Sequence, residues 1–198
     1  MTPYPLFLNL EGKKAAVFGA GKVALRKMKD LLQCGAFVEA TSLEFSQPVI
    51  CLSQSNPRLK LRKKAAVSAL LKDAVVAFVA SSDAVWNQQV VRECRKRKIW
   101  VNVADQPKLC DFFVPAVLKK GRLQVAISTG GASPLLAQRF RQELQKKVRP
   151  QAVRFLNQMA RLRPLAQVQV SAQKERKKLF QQKVGSDFHF LDNGMSFR

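Results

Sequence analysis

The chain has 198 residues, enough for one ordinary domain with a real core and a smaller appendage. Its hydrophobic share of 47% argues against wholesale disorder. Its 35 Lys and Arg against 13 Asp and Glu give a net charge of +22, and 17 of the basic but only 4 of the acidic side chains follow residue 118. Such a field suits nucleic acid, an anionic membrane or a polycarboxylate ligand, and charge alone does not choose among them. Four isolated cysteines, Cys34, Cys51, Cys94 and Cys110, show no CxxC pairing, which speaks against a zinc site or a disulfide framework and for a reducing cytosol. The start, MTPYPLFLNLEGKK, lacks a basic n-region, and no apolar run approaches the length of a membrane span. A cytoplasmic protein without a membrane segment is the expectation.

Lys14–Phe18 reads as a short apolar strand entering Gly19-Ala20-Gly21, and Val23–Gln33 carries helical periodicity ending at Gly35. Phe37–Thr41 is a second strand, with a helix over about Gln47–Ser53 after it. Arg58–Arg62 alternates as an edge-type third strand, and Ala65–Leu71 is a short helix. Val75–Ala80 is an uninterrupted β-branched and aromatic run of the kind buried on both faces of a parallel sheet. Ala84–Lys98 is a helix with a basic outer face (Arg92, Arg95, Lys96, Arg97, Lys98), and Ile99–Val103 a fifth, buried strand. This alternation predicts an α/β fold, a Rossmann-type doubly wound parallel sheet. Two further strands, Phe112–Leu118 and Leu123–Ser128, flank the basic turn Lys119-Lys120-Gly121-Arg122. Helices over Leu135–Val148, Pro150–Arg163 and Ser171–Lys183 follow, and the tail is expected to fray. The division is 1–112 dinucleotide-binding domain, 113–147 dimerisation and substrate region, 148–183 basic helical segment, 184–198 tail.

Gly19-Ala20-Gly21-Lys22-Val23-Ala24 is a G-x-G-x-x-A turn in the strand–turn–helix context that dinucleotide binding requires. Gly19 permits the tight turn, Gly21 lets the backbone approach a pyrophosphate, and the helix N-terminus faces the phosphates. The acid for a ribose hydroxyl is either Glu39, mid-strand, or Glu44, better placed in the loop that follows. A Glu there favours NAD over NADP by repelling a 2′-phosphate, although Lys22 works the other way. Ser81, Ser82 and Asp83, with Asn87 a turn later, suit a nicotinamide pocket, while Ser82 or Asp83 equally suits a helix cap.

Asp105 is the one carboxylate directly at the end of the fifth strand, where α/β sheets hold ligands, and is the candidate proton-transfer base. Ser128, Thr129, Gly130, Gly131 and the N-cap Ser133 precede Pro134 at an open helix N-terminus suited to an anion, with Arg139 on the same helix. His189, the single histidine, reads as exposed and idle. Trp86, Trp100, Phe112 and Phe113 read as core packing.

Taken in order, GAGKVALRK, the SSDxxxN loop, NVADQPKLCDFFVPA and LQVAISTGGASPLLAQ resemble the precorrin-2 dehydrogenase / sirohydrochlorin ferrochelatase family, the siroheme synthase N-terminal type, over residues 4–147. The resemblance implies oxidation of precorrin-2 to sirohydrochlorin in siroheme or cobalamin synthesis, with hydride passing to NAD. In some members the same site then inserts ferrous iron. It makes Asp105 the catalytic base and Gly19, Gly21, Lys22, Val23, Leu43 and Glu44 the cofactor contacts, with a homodimer formed around 113–147 and no specific nucleic acid. A tetrapyrrole polycarboxylate gives the basic charge a use, for which Lys119, Lys120, Arg122, Arg139 and Arg141 are candidates. The loop SLEFSQP and the size of the charge depart from the family pattern. A protein of this fold that senses nucleotides or binds nucleic acid is the rival reading, motivated by the basic C-terminal helices.

Overall fold

The computed structural model describes residues 3–170 and 172–184. They form two compact units divided between Phe113 and Val114. In the first, β1 (Lys14–Phe18), β2 (Phe37–Ser42), β3 (Leu59–Lys63), β4 (Ala74–Val79) and β5 (Trp100–Val103) form a wholly parallel sheet of order β3-β2-β1-β4-β5. The order reverses between β1 and β4, so a crevice opens there at the strands' carboxyl ends.

Side-chain alternation along these strands supplies two cores. Ala15 and Val17 of β1, Val38 and Ala40 of β2, and Phe78 of β4 face α1 (Lys22–Gln33) and α2 (Gln47–Ser55). Ala24, Met28 and Leu31, at helical spacing, bury the inner stripe of α1. Ala16, Phe18, Ala77, Val79, Val101 and Val103 face the opposite way, onto α3 (Val67–Leu71) and α4 (Ala84–Lys96). Phe18, Met28, Leu70 and Leu71 are essentially inaccessible to solvent, each contributing about 1.5–3 kcal/mol by burial.

Several expectations need correction. α4 ends at Lys96, because Arg97 is its cap and Lys98 turns left-handed at φ +57°. β5 is an edge strand, and α4 covers only its Val101 and Val103 face. Trp100 is therefore 46% exposed instead of packed in the core, and Phe113 is likewise 53% exposed. Phe112 and Trp86 do pack against the cores. The strand expected over Phe112–Leu118 begins only at Ala116. Residues 110–112 instead return along the open edge of β5, where the Asp111 amide donates to the Val101 carbonyl at 2.8 Å and the Asp111 carboxylate accepts from the Val101 amide at 3.0 Å.

The second unit starts with the antiparallel hairpin β6 (Ala116–Lys120) and β7 (Leu123–Ile127). Its two-residue loop places Gly121 first at φ +59°, the position of a tight hairpin turn that demands glycine. Three helices follow, α5 (Pro134–Lys147), α6 (Pro150–Gln169) and α7 (Gln173–Val184). α6 does not stop at Arg163 as expected. It runs through Pro164, which sacrifices one backbone bond on an exposed face, and Ala166 beyond it is buried. α7 begins at Gln173, not Ser171. The tail from 185, with His189, and Ser171 lie outside the described residues. Among the described residues no helix is long and apolar enough to cross a membrane.

Candidate active site

Phe18 ends β1 against the central strand β4, and the chain must turn at once. Gly19 does so at φ +116°, donating its amide to the Thr41 carbonyl of β2 at 2.8 Å. A Cβ at Gly19 would lie 2.8 Å from the carbonyl carbon of Ala80. Only glycine allows β1 and the end of β4 to approach so closely. Gly21 differs: it precedes α1 in extended conformation with no side chain capping the helix, and a Cβ there would meet nothing within 4 Å. The first amides of α1 thus face open space in front of a glycine. This is the cradle that a pyrophosphate needs, and the residues present fit a dinucleotide. Lys22 and Val23, the first two residues of that helix, are both exposed at this end.

The loop after β2 is tied to this turn by a residue that the sequence reading passed over. Ser46 stands at the N-cap of α2, but its hydroxyl donates across to the Ala20 carbonyl at 3.1 Å. Ser-Gln-Pro is a cap signature, so the residue could be found in the sequence but its partner could not. Leu43 and Glu44 are exposed in the same loop. Glu39, the other candidate for the ribose, is engaged elsewhere, 3.1 Å from both Lys14 and Arg62. Burial by itself would raise the Glu39 carboxyl, but these two cations hold it below the ordinary value. This leaves Glu44 as the acid available to a ligand.

Beyond β4, the Ser81-Ser82-Asp83 loop is rigidly built. The Asp83 carboxylate caps α4 by accepting from the Trp86 amide at 2.9 Å, and Ser81 Oγ accepts from the Asp83 amide at 3.0 Å. Asn87, 1% exposed, donates from Nδ2 to the Ser81 carbonyl at 3.0 Å, while its buried Oδ1 has no partner among the described residues. Ser82 is exposed.

Asp105 stands exposed just past β5, in a left-handed turn at φ +58° that aspartate tolerates better than most residues. Its neighbour Ala104 donates to the Val79 carbonyl at 2.8 Å, so the turn sits beside the start of the Ser81 loop. The Cys110 thiol pins this turn. Its Sγ accepts from the Val103 amide at 3.1 Å and lies 3.2 Å from the Val103 carbonyl and 3.4 Å from that of Gln106. Burial pushes this thiol above its ordinary pKa, so it acts as a neutral donor and acceptor. Across the loop, burial pushes the Lys27 ammonium down, and it lies 5.6 Å from the centre of the Phe78 ring. Gly19, Gly21, Leu43, Glu44, Ser81–Asp83 and Asp105 are thus all carried at the carboxyl edge of one sheet.

The remaining candidates belong to the second unit. Thr129 Oγ1 accepts from the Ser133 amide at 3.1 Å and donates to the Ser133 carbonyl at 3.0 Å, closing a loop in which Gly130 and Gly131 are both left-handed. Ser133 caps α5 by accepting from the Leu136 amide at 3.2 Å, and the Gly130 amide donates to Ser128 Oγ at 3.2 Å. Arg139 is exposed on α5, whereas Arg141 is engaged with Gln145 at 2.7 Å. Lys120 is committed to the Val148 carbonyl at 2.6 Å and is structural. Among the described residues no group of three or more metal-ligating side chains occurs.

A parallel sheet with a glycine turn at its switch point defines an NAD(P)-binding α/β protein. The profile of an NAD(P)-binding family matches residues 6–116, and that of the sirohaem biosynthesis protein central region matches residues 120–147. The chain belongs to the precorrin-2 dehydrogenase / sirohydrochlorin ferrochelatase family, in its siroheme synthase N-terminal form. A siroheme synthase of Methylobacillus flagellatus is 36% identical over 145 residues, which is 73% of this chain and 31% of that protein. One of Nitrosomonas eutropha is 30% identical over 188 residues, 95% of this chain and 40% of that protein. The chain thus spans about a third of the length of the curated relatives it matches. The solved structure of SirC, precorrin-2 dehydrogenase, matches with a TM-score of 0.77 at 26% identity, covering 94% of this chain and 92% of that one.

Proposed function

We propose that this protein oxidises precorrin-2 to sirohydrochlorin, passing a hydride to NAD in siroheme or cobalamin synthesis. The observation that carries the reading is the placement of one exposed carboxylate, Asp105, in a pinned left-handed turn on the same sheet edge as the glycine cradle. The whole-chain likeness to a precorrin-2 dehydrogenase supports the choice of substrate.

When bound, the nicotinamide ring accepts the hydride. The chain's own residues do the rest. Gly19, Gly21 and the first amides of α1, with Lys22 and Val23, hold the pyrophosphate. Leu43 and Glu44 flank the adenosine ribose, and Glu44 favours NAD over NADP. Ser81, Ser82 and Asp83 border the nicotinamide. Asp105 takes the proton that leaves the macrocycle, so hydride and proton together account for the two electrons and two hydrogens removed. Ser128, Thr129, Gly130, Gly131, Ser133 and Arg139 receive the carboxylates of the tetrapyrrole. A homodimer in the cytoplasm completes the proposal: Leu135, Leu136 and Leu165 of the second unit are exposed apolar side chains of the kind that contact with a second copy would bury.

Anaerobic NADH formation with precorrin-2 and NAD is the test, run beside Asp105→Ala. Turnover in the wild type and near silence in a folded variant support both reaction and residue. NAD binding without turnover in either would favour a non-catalytic, nucleotide-sensing protein. Ferrous iron is a further proposed substrate. Sirohydrochlorin and Fe²⁺ without NAD should give siroheme faster than the uncatalysed rate, and an unchanged rate removes the chelatase activity.

A further inference from the structure

β5 is paired on one side only, by β4, so the backbone groups on its other side need partners from elsewhere. Residues 110–112 supply them in turn. Asp111 meets Val101 twice, its amide donating to the Val101 carbonyl at 2.8 Å and its carboxylate accepting from the Val101 amide at 3.0 Å. Val103 is met by a side chain: Cys110 Sγ accepts from its amide at 3.1 Å and lies 3.2 Å from its carbonyl. Asn102, between the two, donates from Nδ2 to the Phe112 carbonyl at 2.9 Å and to Cys110 Sγ at 3.6 Å. The same sulfur lies 3.4 Å from the Gln106 carbonyl, so it ties both ends of the turn from Val103 to Gln106. The turn's own bond, from the Gln106 amide to the Val103 carbonyl, is long at 3.4 Å. Asp105 sits inside it at φ +58°, a conformation that a residue other than glycine keeps only where its surroundings hold it.

We propose that Cys110 and Asn102 are positioning residues for Asp105: they fix the turn that carries its carboxylate and touch no substrate themselves. The inference rests on the reading of Asp105 as the proton acceptor and deepens it. An acceptor works only within hydrogen-bond reach of the proton it takes, and a misplacement of about 1 Å can cost about 10²-fold in rate. The residue type follows from the geometry. Val103 presents one donor and one acceptor, so its partner must accept and donate from the same atom. A thiol does this, and a hydroxyl would as well, whereas a methyl leaves both groups unmet. The thiol must also stay neutral, because a thiolate has no proton to give a carbonyl, and burial favours the neutral form.

The test compares precorrin-2 oxidation by the wild type, Cys110→Ala, Cys110→Ser and Asn102→Ala, each also made in an Asp105→Ala background. Cys110→Ala and Asn102→Ala should lower kcat about 10-fold while KM for precorrin-2 and the affinity for NAD stay unchanged. Cys110→Ser should recover most of the loss. In the Asp105→Ala background the same substitutions should cost nothing further, since residues that act through Asp105 then have nothing to position. Amide exchange read by NMR should show the Val103 amide opening faster in Cys110→Ala than in Cys110→Ser. Equal losses with and without Asp105 overturn the assignment, as does a loss carried by KM or an unaltered Val103 exchange. An active wild type beside an equally active Cys110→Ala removes the positioning role and leaves the dehydrogenase reading standing. A folded wild type that leaves precorrin-2 unoxidised removes both.

Discussion

Gly19 and Gly21 lie two residues apart in one motif, yet alanine at each should fail in opposite ways. At Gly19 the backbone sits at φ +116°, where an L side chain is strained, and the new methyl would press on the Ala80 carbonyl group, whose carbon lies 2.8 Å away. Backbone strain of about 1–3 kcal/mol and a forced shift of the β4 terminus together cost about 3 kcal/mol. For a chain of this size that lowers Tm by roughly 6–12 °C. At Gly21 the backbone is extended (φ −78°, ψ −174°) and the methyl meets no protein atom within 4 Å. Gly21→Ala should therefore keep its stability within about 1 kcal/mol. The methyl would still occupy the space in front of the α1 amides, and NAD affinity should fall by about 10-fold or more. Urea unfolding followed by circular dichroism reads the first effect, and calorimetric titration with NAD the second. Gly21 is not the pyrophosphate cradle if Gly21→Ala binds NAD like the wild type, or if it unfolds as readily as Gly19→Ala.

Asp105→Gly should keep or slightly raise stability, since glycine accepts φ +58° without strain, while NADH formation falls about 10²–10⁴-fold. Substantial turnover by this variant would remove Asp105 as the base. The Glu39 carboxyl titrates below its ordinary value of 4.5 in the folded protein, so its contribution is complete above that value and fades as pH falls through the folded-state pKa. Glu39→Gln should cost about 1 kcal/mol at neutral pH, and its deficit against the wild type should shrink as pH falls below the ordinary value of 4.5, read from urea midpoints. Burial pushes the Cys94 thiol up to about 12, whereas Cys51 is exposed. Iodoacetamide at neutral pH should label Cys51 in the native protein and Cys94 only after denaturation, as peptide mass spectrometry will show.

Local patterns were enough to determine most of the fold. Five strands alternating with helices, a run as apolar as Val75–Val79 and a glycine turn opening a helix all depend on neighbours a few residues apart, and such signals survive in one dimension. The same holds for Ser133 as a helix cap and for Asp105 as the carboxylate at a strand end, whereas the choice between Ser82 and Asp83 as the cap of α4 falls to Asp83 only in the structure. What tertiary structure decided are the partners. Glu39 and Glu44 both suit the ribose on paper, with Glu44 the better placed, and only the approach of Lys14 and Arg62 from β1 and β3 commits Glu39 to the sheet. The hydroxyl of Ser46 abandons its own helix for Ala20, and Cys110 closes the Asp105 turn. Phe112 misled for the same reason: an aromatic, β-rich segment reads as a strand, but residues 110–112 are captured by the open edge of β5, whose position depends on four other strands. Periodicity records which face a residue shows; which distant group meets it there depends on how the whole chain packs.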